Sequence, residues 1–248
     1  MVTLPRPPDL GFRQQLQHVL ARDRALPVEQ LLARRGFAAY RATLESPESL
    51  LAALRYTQLR AVTPRIPYTV GARRVEPVRF VCASRHVAAY QGFTLRQLAG
   101  LAALRDGLGL AHNRFRLQAL QRTATFQPIP DAVMGEVGWG RQYRSSVRVA
   151  VEWDSGSAVR SKIDNAVLHY ARLAPLQLWA VPSEARAVTV AERLAAALPA
   201  GAWTVLVVDW RDGTLRGVIG KAHGAARIEL MATAAPDAPW RRALEEAS

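Results

Sequence analysis

The chain has 248 residues, half of them hydrophobic, and a formal net charge of +13. That length and composition provide enough apolar side chains for one large core or two ordinary ones and argue against wholesale disorder. The longest apolar runs, such as Val205 to Val208, are far short of a membrane span, and the single cysteine, Cys82, excludes an internal disulfide and any Cys-clustered zinc site.

The charge is unevenly distributed. Residues 1–130 hold 19 Arg against 7 Asp/Glu, whereas residues 131–248 hold 14 Arg/Lys against 13 Asp/Glu. A field confined to the first half attracts polyanions, and nucleic acid is the expected partner there. No charged and then apolar leader opens the chain at Met1 to Pro5, so a cytoplasmic, nucleoid- or plasmid-associated location is expected.

Phe12, Leu16, Val19 and Leu20 follow the i, i+4, i+7, i+8 spacing of an amphipathic helix. A second helix is predicted from Pro27 through Val28, Leu31 and Leu32 to Gly36. Ser46-Pro47-Glu48-Ser49 combines a capping hydroxyl, a first-position proline and a first-turn carboxylate, so a third helix is predicted through Leu50, Leu51 and Leu54 as far as Gln58. Ala61 to Val70 is β-prone but holds Pro64 and Pro67, which suits an edge strand. Gly71 to Arg74 turns the chain, and Val75 to Ala83 alternates like a returning strand.

Three helices followed by a strand pair with a basic tip is the order of a winged helix-turn-helix. Residues 1–92 are therefore read as a winged-helix DNA-binding domain. Arg55, Arg60, Arg65, Arg73, Arg74 and Arg79 are its candidate DNA contacts, and a homodimer on double-stranded DNA is expected. A charged, solvated turn accounts for Arg73 and Arg74 equally well.

Thr94 to Leu108 and Asn113 to Arg122 read as helices, making residues 93–122 a helical bridge. Residues 123–248 read as an α/β domain with a mixed sheet. Strands are predicted at Thr123–Gln127, Asp131–Met134, Ser146–Trp153, Leu176–Val181, Trp203–Val208 and Thr214–Ile219, with helices at Ser157–Leu173 and Ser183–Leu198. The glycine-rich stretch Gly135 to Gly140 reads as a loop, and no nucleotide-binding loop is present.

Asp131 opens one strand of this domain, Glu152 and Asp154 end the next, and Lys162 lies on the following helix. Carboxylates at neighbouring strand ends, with a lysine close by, suit Mg²⁺-dependent phosphodiester hydrolysis. Asp154-Ser155-Gly156-Ser157 is equally a natural turn and helix cap. His18, His86, His112, His169 and His223 show no zinc-enzyme spacing; a satisfied packing role is the first reading of His112, ahead of a helix cap or DNA contact.

Val149 to Asp154, Gly156, the helix running to Tyr170-Ala171, and Leu178 to Arg186 (LWAVPSEAR) resemble the replication-relaxation family of plasmids and integrative elements. Gly109 to Asn113, Pro130-Asp131-Ala132 and Leu50 to Val62 are similar to further short motifs of that family, so the resemblance spans roughly residues 45–210. It implies a winged helix joined to a PD-(D/E)xK, restriction-endonuclease-like domain. Asp131, Glu152 and Asp154 are its implied metal ligands and Mg²⁺ its cofactor. The family's E-x-K reads Glu152-Trp153-Asp154 here, leaving Lys162 as the lysine, and Ser157-Ala158 replaces the acidic residue after the glycine turn. Both an active endonuclease and an inactive nuclease-like domain in a replication or mobilisation accessory factor, or regulator, remain open.

Overall fold

A computed structural model describes residues 10–67, 75–108, 115–117, 128–135, 147–156 and 158–219. The chain is of mixed α+β class and divides into two compact units, residues 1–102 with 210–213, and residues 103–209 with 214–248.

In the first unit, α1 (Leu10–Asp23) buries Phe12, Leu16 and Leu20, the stripe its periodicity predicts. It stops at Arg24, whose φ of 66° is left-handed and whose N–H donates to the Leu20 carbonyl at 2.9 Å. β1 (Ala25–Pro27) follows, so Pro27 ends a strand and the helix expected from it, α2 (Val28–Ala33), begins one residue later. After a 3-10 turn at Ala38–Tyr40 come α3 (Arg41–Glu45) and α4 (Pro47–Leu54). The Ser46 hydroxyl caps α4 by accepting from the Ser49 N–H at 3.1 Å.

Two expectations for α4 are corrected. It ends at Leu54 rather than Gln58, because Arg55 leaves helical geometry and Tyr56 has a φ of 65°. Leu51, expected on the core stripe, points away from it, since Leu50, Ala53 and Leu54 fill the buried face.

β2 (Arg60–Val62), β3 (Arg65–Pro67), β4 (Val75–Pro77) and β5 (Phe80–Cys82) complete the β part. β1, β5 and β2 form an antiparallel sheet in that order, so β2 is an edge, as its flanking prolines suggest. β3 and β4 form a separate antiparallel pair with Ile66 opposite Glu76. The single strand expected from Val75 to Ala83 is therefore two strands, each with a different partner. The turn with Arg73 and Arg74 lies outside the described residues.

α5 (Arg85–Ala88) and α6 (Gly92–Gly107) follow, and α6 begins two residues before the expected Thr94. A Cβ on Gly92 would come within 2.8 Å of Ile66 Cγ1, so the absent side chain lets α6 start against β3. The first core joins Phe12, Leu16, Leu20, Leu31, Phe37, Leu44, Leu50, Leu54 and Val81. Within the same unit, buried Gln30 donates to the carbonyls of Ala99 at 2.8 Å and Trp210 at 2.6 Å, and Phe80 stacks on Trp210.

The second unit is built on a six-stranded mixed sheet. Its strands are β6 (Phe115–Leu117), β7 (Ala132–Gly135), β8 (Val147–Trp153), β9 (Leu176–Val181), β10 (Trp203–Val208) and β11 (Leu215–Ile219), ordered β11-β10-β9-β8-β7-β6. β8, β9 and β10 are parallel, joined through α7 (Arg160–Tyr170) and α8 (Glu184–Ala197); β6, β7 and β11 pair antiparallel. Residues 115–117 correct the helix expected over Asn113 to Arg122, because Phe115 to Leu117 pair with Ala132 to Met134 as a strand. The expected strand at Thr123–Gln127 lies outside the described residues, as does the loop of Gly135 to Gly140 beyond Gly135.

Ile163, Val167, Tyr170, Val190 and Leu194 of α7 and α8 pack on Ala150, Trp179, Val181, Val205 and Val207 of the sheet. Buried Gln177 pins α7 there, donating to the Val167 carbonyl at 2.7 Å and accepting from Trp179 Nε1 at 3.1 Å. Among the described residues no helix is long and apolar enough to cross a membrane.

Candidate functional site

The candidate residues fall in two places, one in each unit. In the first unit, Arg55 is the exposed C-cap of α4, its guanidinium 5.2 Å from the centroid of the Tyr56 ring. Arg60, exposed at the start of β2, donates to the carbonyls of Thr57 at 2.8 Å and Leu59 at 2.7 Å. Arg65 is exposed at the start of β3. These three arginines present cations to solvent over the consecutive elements α4, β2 and β3.

Arg79 is placed differently. Its Nη1 donates to the carbonyls of Leu44 at 3.3 Å and Glu45 at 2.7 Å, which holds the strand side of the fold to the C-terminal end of α3. A cation on terminal helix carbonyls satisfies acceptors that the helix leaves open. Arg73 and Arg74, and His112, lie outside the described residues.

In the second unit the register sets Ala132 opposite Val151, which brings Asp131 beside Glu152 at the ends of β7 and β8. The Asp131 carboxylate accepts from the Trp153 N–H at 2.9 Å, and the Asp131 N–H bonds the Glu152 carboxylate. Tyr170, from the last turn of α7, donates its hydroxyl to Glu152 Oε2 at 2.8 Å. Removal from water and the adjacent Asp131 charge push the Glu152 carboxyl well above the usual carboxylate range, against the lowering effect of the Tyr170 bond. Burial and the Glu152 charge push the Tyr170 phenol up, so it keeps the proton that it donates to Glu152.

Asp154 is engaged elsewhere. It is buried; its Oδ1 accepts from the Gly156 N–H at 2.8 Å, and its Oδ2 accepts from Arg186 Nε at 2.7 Å and lies 2.7 Å from Arg186 Nη2. Arg186 Nη2 also donates to the Ala158 carbonyl at 2.6 Å. The guanidinium thus straps the turn after β8 to the first turn of α8. Ser183 presents Arg186 there by capping α8. Lys162 stands exposed on the first turn of α7 and makes no bond or ion pair to a carboxylate among the described residues.

A Mg²⁺ ion asks for about six oxygens in near-octahedral array. Among the described residues no group of three or more His, Cys, Asp or Glu side chains is disposed to hold a metal. Both Asp154 oxygens carry hydrogen bonds, one from a guanidinium that competes with any cation. The described donor set therefore does not fit Mg²⁺. Cys82, buried in β5 with its thiol pushed up to about 12 by burial, is no nucleophile either.

Arg186 and Tyr170 were not singled out as site residues from the sequence. Both stand in the quoted motifs, Arg186 as the last residue of LWAVPSEAR, and only the fold shows the carboxylate each one serves. No protein-family model matches the chain, and neither a curated protein nor a solved structure matches it.

Proposed function

We propose that the chain is a DNA-binding protein whose first unit works as a winged helix on duplex DNA. In this reading α4 enters the major groove, and β3 and β4 lie along the phosphate backbone as the wing. The observation that carries it is the order of this unit: a helix, a strand, further helices ending in α4, then a hairpin whose flanking strands close the sheet β1-β5-β2. Exposed Arg55, Arg60 and Arg65 mark the same stretch, and the first 102 residues hold 15 Arg against 6 Asp/Glu. The second unit serves as a nuclease-like scaffold in a replication or mobilisation accessory factor, or a regulator, of the replication-relaxation kind.

The test is duplex affinity across a salt series. Replacing Arg60 and Arg65 together by Gln is expected to weaken binding on every sequence alike. Each lost phosphate contact lowers the slope of log K against log salt by about 0.9, so a fall of about two is expected for the pair. An unchanged slope would remove both residues from the interface, and a flat salt dependence in the parent protein would end the DNA reading.

A metal-dependent endonuclease is the second reading, favoured by the adjacency of Asp131 and Glu152 alone. With Asp154 strapped to Arg186, the same duplexes are expected to stay intact in Mg²⁺ or Mn²⁺. Metal-dependent cleavage that Glu152→Gln abolishes would reverse that conclusion.

A further inference from the structure

α4 has an unusual outer face. Glu48, Leu51, Ala52 and Arg55 sit at i, i+3, i+4 and i+7, all exposed, while Leu50, Ala53 and Leu54 satisfy the core on the opposite face. Leu51 is 60 % exposed and lies outside the buried core. Directly after the helix, Tyr56 is 88 % exposed and holds a φ of 65°. A left-handed backbone costs a non-glycine residue about 1 kcal/mol, and Gly or Asn occupies it more easily. The position is nonetheless well defined, because the Thr57 N–H and hydroxyl both bond the Leu54 carbonyl, at 3.0 and 2.7 Å. The ring is turned out to water with the Arg55 guanidinium against it. An outlier that displays an aromatic side chain to solvent points to a contact made with something else.

We propose that Leu51, Ala52 and Tyr56 form an apolar base-reading face whose ligand is the C5-methyl group of thymine in the major groove, an inference that rests on the winged-helix reading above. The occupant follows from the mixture of apolar and basic groups. The face is apolar at its centre, yet Arg55 and Arg60 flank it and the surrounding 102 residues are strongly basic. A partner with an anionic frame and apolar points within it matches both features. In the major groove of duplex DNA, thymine alone among the four bases offers a methyl group between two phosphate backbones. Arg55 is held against Tyr56, which disposes it to steady the ring rather than to grip guanine. Glu48, the one acid on the face, stands at its N-terminal end and accepts from the Ser46 hydroxyl.

The experiment uses the full chain. A pool of duplexes with a random core is selected for binding, and an enriched duplex is remade with deoxyuridine in place of thymine, which removes only the methyl groups. The parent protein is expected to lose affinity by about fourfold for each methyl that packs on the face. Leu51→Ser and Tyr56→Gly are expected to bind the thymine duplex more weakly and to discriminate less between the two forms. Tyr56→Gly relieves the left-handed strain and loosens the unfolded chain by a similar amount, so its thermal midpoint should hold while its binding falls, which separates a lost contact from a lost fold. If deoxyuridine leaves affinity unchanged, or if Leu51→Ser and the parent respond to it equally, this inference fails while salt-dependent DNA binding stands. If no salt-dependent duplex binding is found, the winged-helix reading falls and takes this inference with it.

Discussion

Arg186→Ala is expected to lower the stability of the second unit by about 3–5 kcal/mol, the usual cost of stripping one partner from a buried ion pair. Asp154 is the partner left behind, its side chain only 3 % exposed against 17 % for Arg186. After the substitution, one N–H, that of Gly156, remains on Oδ1, and Oδ2 loses its guanidinium. The Ala158 carbonyl loses its bond as well, so the turn between β8 and α7 loses its link to α8. Arg186→Lys should recover only part of the loss, because one ammonium cannot bond both the Asp154 carboxylate and the Ala158 carbonyl with the geometry of a planar fork. Asp154→Asn should cost less than Arg186→Ala, since the amide oxygen can keep the Gly156 bond and the more exposed arginine can turn to water. Urea unfolding followed by the fluorescence of Trp153 and Trp179 measures all three. A double variant costing much less than the two single ones added together would identify the pair as one energetic unit. A loss below about 1 kcal/mol for Arg186→Ala would mean that Asp154 rehydrates freely, and the strap would have no structural weight.

The same pair shows where the sequence ceases to be informative. Local patterns were legible because local physics sets them: the stripe of α1, the Ser46-Pro47 start of α4, the buried runs of β9 and β10. Features made by distant partners were not. β1 is three residues ending in proline, and it is a strand only because Ala25 to Pro27 pair with Phe80 to Cys82. Phe115 to Leu117, within a stretch that reads as helix, becomes a strand through pairing with β7. The leucine-rich run Leu50-Leu51-Ala52-Ala53-Leu54 is apolar on too many sides for spacing to single out its buried face, so Leu51 was placed on the wrong one. The acids at 131, 152 and 154 were legible as a set. Their division into a coupled pair and a strapped turn depends on Arg186 and Tyr170, which reach them from two different helices.

That coupled pair gives the second large effect, one that depends on pH. Glu152 binds its proton more tightly in the folded chain than in the unfolded one, because burial and Asp131 both disfavour the charged form. Its contribution to stability is therefore fully present below the unfolded glutamate value of about 4.3 and is lost as pH rises through the folded value. Glu152→Gln mimics the protonated side chain, with an amide oxygen to accept from Tyr170 and an amide N–H₂ to face Asp131. The variant and the parent are expected to unfold at similar temperatures near pH 4. Above that pH the parent should fall progressively behind, and the gap should level off once the folded carboxyl has ionised. Tyr170→Phe should act in the opposite sense. It removes a side-chain donor whose bond, like that of the Asp131 N–H, favours the Glu152 carboxylate, at a cost of about 1–3 kcal/mol for the bond lost, and the penalty should grow with pH as the carboxylate forms. Thermal melts of the three proteins between pH 4 and 8 decide the matter. Parallel curves for parent and Glu152→Gln would mean that neither burial nor the Asp131 charge disfavours the Glu152 carboxylate.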